Sequence, residues 1–162
     1  LRGRDVLLVA VDARRADRLE VYGGPSDLMP QLNRLAKESA VFLHAYTPTP
    51  HTSYALSSLF TGKYLKPVLQ LPEAPAEHPT LPELLRRYGY RTAAFYPPAI
   101  LRVDAHRFRA LQAKGFGFEY RKEMFASAAE RVGQLRSYLE NIEAGHPLFV
   151  WVHLFEPHEP YD

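Results

Sequence analysis

Cysteine is absent from the 162-residue chain. That excludes disulfides, thiol nucleophiles and thiolate metal sites, and it leaves the redox compartment open. Long apolar runs are missing too: none approaches the roughly 18 residues needed to span a bilayer. Charge of one sign is nowhere concentrated. The 20 Lys and Arg and the 18 Asp and Glu are interspersed, for a formal charge of +2, so no basic groove for nucleic acid is expected. No leader peptide is visible, and the chain opens LRGRD without methionine and closes on PHEPYD. Both ends suggest that the remaining part of the same polypeptide lies beyond them.

What is present is a globular balance, 46% hydrophobic and 23% charged, in a length that suits one domain with a buried core. Asp5 to Val11 is a continuous apolar run of the kind found in a strand buried on both faces, and it ends at Asp12. Pro30 to Glu38 predicts a helix with proline in its first turn, and Ala40 to Tyr46 predicts a second strand. TPTPHTSYALSSLFTGKY, from Thr47 to Tyr64, predicts a loop and then a helix closed by Gly62. The proline-rich stretch from Leu65 to Pro79 predicts a loop. Thr80-Leu81-Pro82-Glu83 carries the threonine and glutamate of a capping box, and that helix ends near Gly89. Arg91 to Tyr96 predicts a third strand, and residues 99 to 124 give no regular pattern. A long amphipathic helix follows, with Phe125, Ala128, Val132, Leu135, Leu139 and Ile142 along one face. Leu148 to Leu154 predicts a fourth strand.

Strands alternating with helices predict a mostly parallel α/β sheet with helices on both faces, a three-layer arrangement. Ligands of such sheets bind beyond the carboxyl ends of the strands. Asp12 ends the first strand, Thr52 follows the second, and His153, Glu156 and His158 end the fourth. Each has a bland reading. Asp12 could cap a turn or bind a hard cation. Thr52 could be an ordinary helix cap, or a hydroxyl beside free amides that suit phosphate or sulfate. His153 could be a satisfied core residue and His158 an exposed loop residue, or either could contact an oxyanion. Lys63 and His51 read as solvated side chains, and the scattered tyrosines and phenylalanines as core.

DVLLVAVDARRADRLEVYGG resembles the opening of the sulfatase branch of the alkaline phosphatase superfamily, where a strand ends in a metal-binding aspartate. MPQLNRLAKESAVFLHAYTPTPHT, SSLFTGKY, TLPELLRRYGYRTAAF and FVWVHLFEPHEPYD resemble further segments of that family, in the family's order. The resemblance implies that residues 1–162 form the N-terminal part of a single sulfatase-like catalytic domain. It places Thr52 at the nucleophile, Tyr54 where the family has proline, Leu56 where it has arginine and Ala13 where it has a second aspartate. Threonine cannot become formylglycine, so that chemistry is not expected. Threonine nucleophiles occur in phosphoethanolamine transferases, lipoteichoic acid synthases and nucleotide phosphodiesterases of the superfamily.

The implied function is a metal-dependent hydrolase or transferase of sulfate or phosphate esters. Thr52, His153 and His158 are then catalytic, and Asp12 and Thr52 are metal ligands. The implied cofactor is a divalent cation (calcium, zinc or manganese), completed by residues beyond 162 and bound weakly by Asp12 and Thr52 alone. Expected partners are a small-molecule, glycan or lipid head-group ester and no nucleic acid, with an extracytoplasmic setting (periplasm or cell envelope) favoured. The alternative is a catalytically silent sulfatase-like domain with a binding or structural role.

Overall fold

The computed structural model describes residues 3–64, 79–101, 104–156 and 158. The Leu65 to Pro79 loop expectation falls almost wholly outside them.

Four strands form one parallel sheet among the described residues: β1 (Val6–Val11), β2 (Arg91–Tyr96), β3 (Tyr120–Glu123) and β4 (Leu148–Leu154), in the order β1-β4-β2-β3. The helices are α1 (Pro30–Lys37), α2 (Thr52–Thr61), α3 (Leu81–Arg87), α4 (Ala105–Ala113) and α5 (Ala128–Asn141). Alternation along the strands splits the core in two. On one face Phe149 and Trp151 of β4 join Ala94 and Tyr96 of β2, against Leu56 and Phe60 of α2 and Phe108 of α4. On the other, Val150 and Val152 join Ala93 and Phe95, against Leu135 and Tyr138 of α5. Helices therefore lie against both faces of β2 and β4, as the sequence predicts. Leu7 and Val9 leave one face of β1 exposed, so that strand is not buried on both faces as expected.

Helix α3 starts as its capping box requires. Thr80 is the N-cap, its backbone N–H donates to Glu83 Oε2 at 2.8 Å, and its hydroxyl also donates to the Phe116 carbonyl at 2.6 Å. Gly117 permits this closeness, because its φ is +85° and a Cβ there would fall 2.6 Å from Thr80 Oγ1. Thr80→Ala is expected to cost about 1–2 kcal/mol, read as a lower midpoint in urea unfolding.

Three expectations need correction. Ala40 to Tyr46 forms no strand. Strand β1 pairs with β4 alone among the described residues, so the segment has no ladder to join. Phe42 and Tyr46 are exposed, and the segment is tied by the Tyr22 hydroxyl donating to the Phe42 carbonyl at 3.0 Å.

The described members of residues 99 to 124 are regular rather than irregular. They hold part of a short 3-10 turn (Pro98–Leu101), α4, a second turn at Gly115–Gly117 and the edge strand β3. Buried Phe108, Phe116 and Phe118 anchor them, and a rigid aromatic core fixes short elements that carry no long period of their own.

The buried stripe of α5 is also rotated from the expected one. The helix begins after Ser127, and Phe125, Val132 and Leu139 are exposed. Arg131 turns inward instead, its guanidinium donating to the Met124 carbonyl at 2.6 Å and to Gln134 Oε1 at 2.8 Å. Those bonds engage both terminal nitrogens of a buried guanidinium that a purely apolar reading would leave outside, while its Nε has no partner among the described residues.

Candidate active site

Asp12 continues the line of β1 past its last ladder residue, with its backbone N–H donating to the Leu154 carbonyl at 2.9 Å. The chain then turns at Ala13, whose φ of +51° lies in the left-handed region, and the Ala13 N–H donates to Asp12 Oδ1 at 2.8 Å. The carboxylate is thereby aimed off the carboxyl edge of the sheet.

Thr52 is not the cap of α2. His51 is the N-cap residue and its side chain caps nothing, whereas Thr52 is the first helical residue. The Thr52 hydroxyl leaves its own helix and donates to Asp12 Oδ1 at 3.2 Å. A buried serine fixes the helix in place: the Ser53 hydroxyl donates to the Ile100 carbonyl at 2.9 Å. The first turn of α2 thus presents free amides, the positive end of a helix dipole and one hydroxyl at a common point.

His153 arrives from β4. It shares a strand face with Phe149 and Trp151, meets the Trp151 ring edge-on at 5.8 Å, and is 3% exposed. Its Nε2 lies 3.1 Å from Asp12 Oδ2, and its Nδ1 is buried without a hydrogen-bond partner. Burial pushes the Asp12 carboxyl up. The His153 hydrogen bond and charge, with the Ala13 amide and the Thr52 hydroxyl, outweigh that and hold it below the usual carboxylate value.

The structure therefore brings Asp12, Thr52 and His153 together from three separate segments. His158 occupies the exposed turn after β4, with its ring stacked on Phe155 at 4.9 Å. Glu156 takes a structural part, accepting the Ala128 N–H of α5 at 2.7 Å.

One polar pair was missed by sequence reasoning. The Tyr54 hydroxyl donates to Asp104 Oδ2, and Asp104 precedes α4 with a left-handed φ of +53°. The Asp104 carboxylate beside it holds the Tyr54 hydroxyl above the ordinary phenol value. No motif announces this pair, because Asp104 lies in the stretch that lacked a pattern.

A model of the sulfatase family matches residues 4–162. The chain belongs to the sulfatase family. An ulvan-active sulfatase of Formosa agariphila is 31% identical over 130 residues, which are 76% of this chain and 24% of that protein. The chain thus spans about a quarter of the length of that curated relative. The structure of BT4656 in complex with its substrate D-glucosamine-2-N,6-O-disulfate superposes with a TM-score of 0.77 at 18% identity, over 97% of this chain and 35% of that one. BT1596, a 2-O GAG sulfatase, superposes with a TM-score of 0.71 at 18% identity, over 97% of this chain and 36% of that one. At such identities the structural likeness shows the fold.

Against the sulfatase pattern, Leu56 is the most telling departure. Where the family resemblance expects arginine, Leu56 is 6% exposed and packed in the core with Phe60 and Trp151. Restoring the family residue as Leu56→Arg is expected to destabilise the fold by about 3 kcal/mol or more, because the charge would be buried without a partner. Chemical denaturation of the variant checks this.

The donor atoms fit part of a shell for the divalent cation that the sulfatase family implies. Asp12 Oδ1 and Thr52 Oγ1 stand 3.2 Å apart at one edge of the sheet. Among the described residues no group of three or more His, Asp or Glu gathers to hold a metal ion.

Proposed function

We propose that these residues are the nucleophile-bearing N-terminal part of a single sulfatase-like catalytic domain that cleaves sulfate or phosphate esters. The observation that carries this reading is the 3.2 Å hydrogen bond from Thr52 Oγ1 to Asp12, made where a strand ends and a helix begins. Asp12 and Thr52 would hold the cation, which when bound supplies positive charge that lowers the pKa of the hydroxyl.

Thr52 Oγ1 attacks sulfur or phosphorus in line, and its proton leaves along the hydrogen bond to Asp12. The new bond runs from Oγ1 to sulfur or phosphorus, and the bond to the departing oxygen breaks. The amides of the first turn of α2 receive the anionic oxygens. His158, exposed on the turn after β4, is assigned to the leaving oxygen, to which it gives a proton. Water, or an acceptor hydroxyl in a transferase, then attacks the same sulfur or phosphorus and restores the Thr52 hydroxyl.

The relatives favour a sulfated saccharide. One is named for activity on ulvan, one is described with a disulfated glucosamine as its substrate, and one as a glycosaminoglycan sulfatase. A polymeric glycan would be met outside the cytoplasm, in the periplasm or at the cell envelope.

The second reading, a silent domain that binds an anionic ligand without turnover, draws on Ala13 and Leu56 standing where the family carries aspartate and arginine. Hydrolysis of sulfated mono- and disaccharides by the intact protein separates the two. Turnover abolished by a chelator and restored by a divalent cation is expected. Saccharide binding without turnover under any cation would favour the silent domain.

A further inference from the structure

We infer that His153 Nε2 is a direct ligand of the divalent cation and replaces the carboxylate that Ala13 does not supply. This rests on the proposed cation at Asp12 and Thr52, and goes beyond it by adding a nitrogen donor from a different strand.

The position after Asp12 makes a left-handed turn, with φ +51°, and ends in a methyl group that cannot coordinate. The compensating donor comes from β4. In the register of the two strands His153 sits opposite Ala10, so its side chain reaches past the end of β1 to the Asp12 carboxylate. At 3% exposure, between the Trp151 ring and Asp12, the imidazole is placed behind the carboxylate rather than out toward a bulky ester.

The spacings suit coordination. His153 Nε2 is 3.1 Å from Asp12 Oδ2, and Thr52 Oγ1 is 3.2 Å from Asp12 Oδ1. Neighbouring ligands around an ion with bonds of about 2.1 Å are separated by roughly 3.0 Å in an octahedron and roughly 3.4 Å in a tetrahedron. Without a cation the Asp12 carboxylate accepts the Nε2–H; a bound cation would displace that proton from the nitrogen facing Asp12, and Nδ1 has no other partner among the described residues. A buried imidazole aimed at one oxygen of a carboxylate whose other oxygen receives a hydroxyl supplies a mixed nitrogen and oxygen set. Such a set favours zinc, manganese or cobalt over calcium, which takes 6–8 oxygen ligands.

Pulsed electron paramagnetic resonance of the intact protein loaded with Mn2+, grown with 14N- or 15N-imidazole histidine, tests the assignment. A histidine nitrogen coupling that changes with the isotope is expected, and His153→Asn is expected to remove one such coupling. Calorimetry should show zinc and manganese binding at least about tenfold tighter than calcium, with the zinc preference lost and zinc affinity down more than about 100-fold in His153→Asn. Asparagine can still donate a hydrogen bond to Asp12, so wild-type zinc affinity in that variant would mean that His153 only positions the carboxylate, and would overturn the inference. Couplings unchanged by the substitution in a folded variant would do so too. Metal-dependent turnover with no imidazole coupling sinks this inference alone, whereas no cation binding at all sinks the proposed function with it.

Discussion

Thr52→Ala in the intact protein is expected to lower ester hydrolysis by about a thousandfold or more while leaving the fold in place. The separation of the two effects is what makes the substitution informative. Were Thr52 the helix cap, its loss would weaken α2 by about 1 kcal/mol and disturb the neighbouring loop. Its hydroxyl makes no capping bond and points across to Asp12 instead, so the helix loses nothing of its own. Thr52→Ser keeps a hydroxyl on the same backbone and should retain measurable turnover. Alanine at 52 with full activity would remove the nucleophile assignment, and inactivity accompanied by global unfolding would show that Thr52 is structural.

The largest loss of stability is expected at Trp151, two residues before His153 on the same face of β4. Trp151 is fully buried and stands at the centre of an aromatic cluster, 4.8 Å from the Phe60 ring, 5.0 Å from Tyr96 and 5.7 Å from Phe116. These contacts join α2, β2 and the turn after α4 to the central strand β4. Trp151→Ala is expected to cost about 3–5 kcal/mol in guanidinium unfolding, from lost burial and the cavity left behind. Trp151→Phe should cost less, since it keeps a ring and removes an indole N–H that is buried without a partner. A cost below about 1 kcal/mol for the alanine variant would mean that the cluster does not hold the sheet and α2 together.

The sequence shows its fold where the local pattern is distinctive. Strands β1, β2 and β4 are runs of apolar residues, and Thr80 with Glu83 specifies a helix start through bonds three residues apart. It is silent where the outcome depends on a distant partner. Ala40 to Tyr46 has strand composition, but a strand exists only if another lies beside it, and no local pattern conveys that. Residues 99 to 124 are ordered by Phe108, Phe116 and Phe118 entering a core built from other segments. In α5 the inward arginine wins over valine because the Met124 carbonyl of the preceding loop is there to receive it.

The site follows the same division. That Asp12 and His153 converge was legible, because strand ends of a parallel sheet share one edge. The strand expected to bring Thr52 to that edge does not form, and only the family resemblance carried it there. The relation among the three was not legible. The direct bond from Thr52 to Asp12 depends on Ser53 docking to Ile100, and the burial of His153 depends on Trp151 and the end of β1. A sequence shows that β4 carries a histidine. It does not show whether that histidine faces substrate or stands behind the carboxylate.

The central claim is that Thr52 Oγ1 becomes covalently bonded to the transferred group, and peptide mass spectrometry after rapid acid quench tests it most directly. The intact protein, turning over an aryl sulfate or aryl phosphate with a fast leaving group, should carry one sulfo or phospho group on Thr52. That modification should fade once substrate is exhausted and be absent from Thr52→Ala. Turnover with Thr52 unmodified and the group on another side chain would contradict the account.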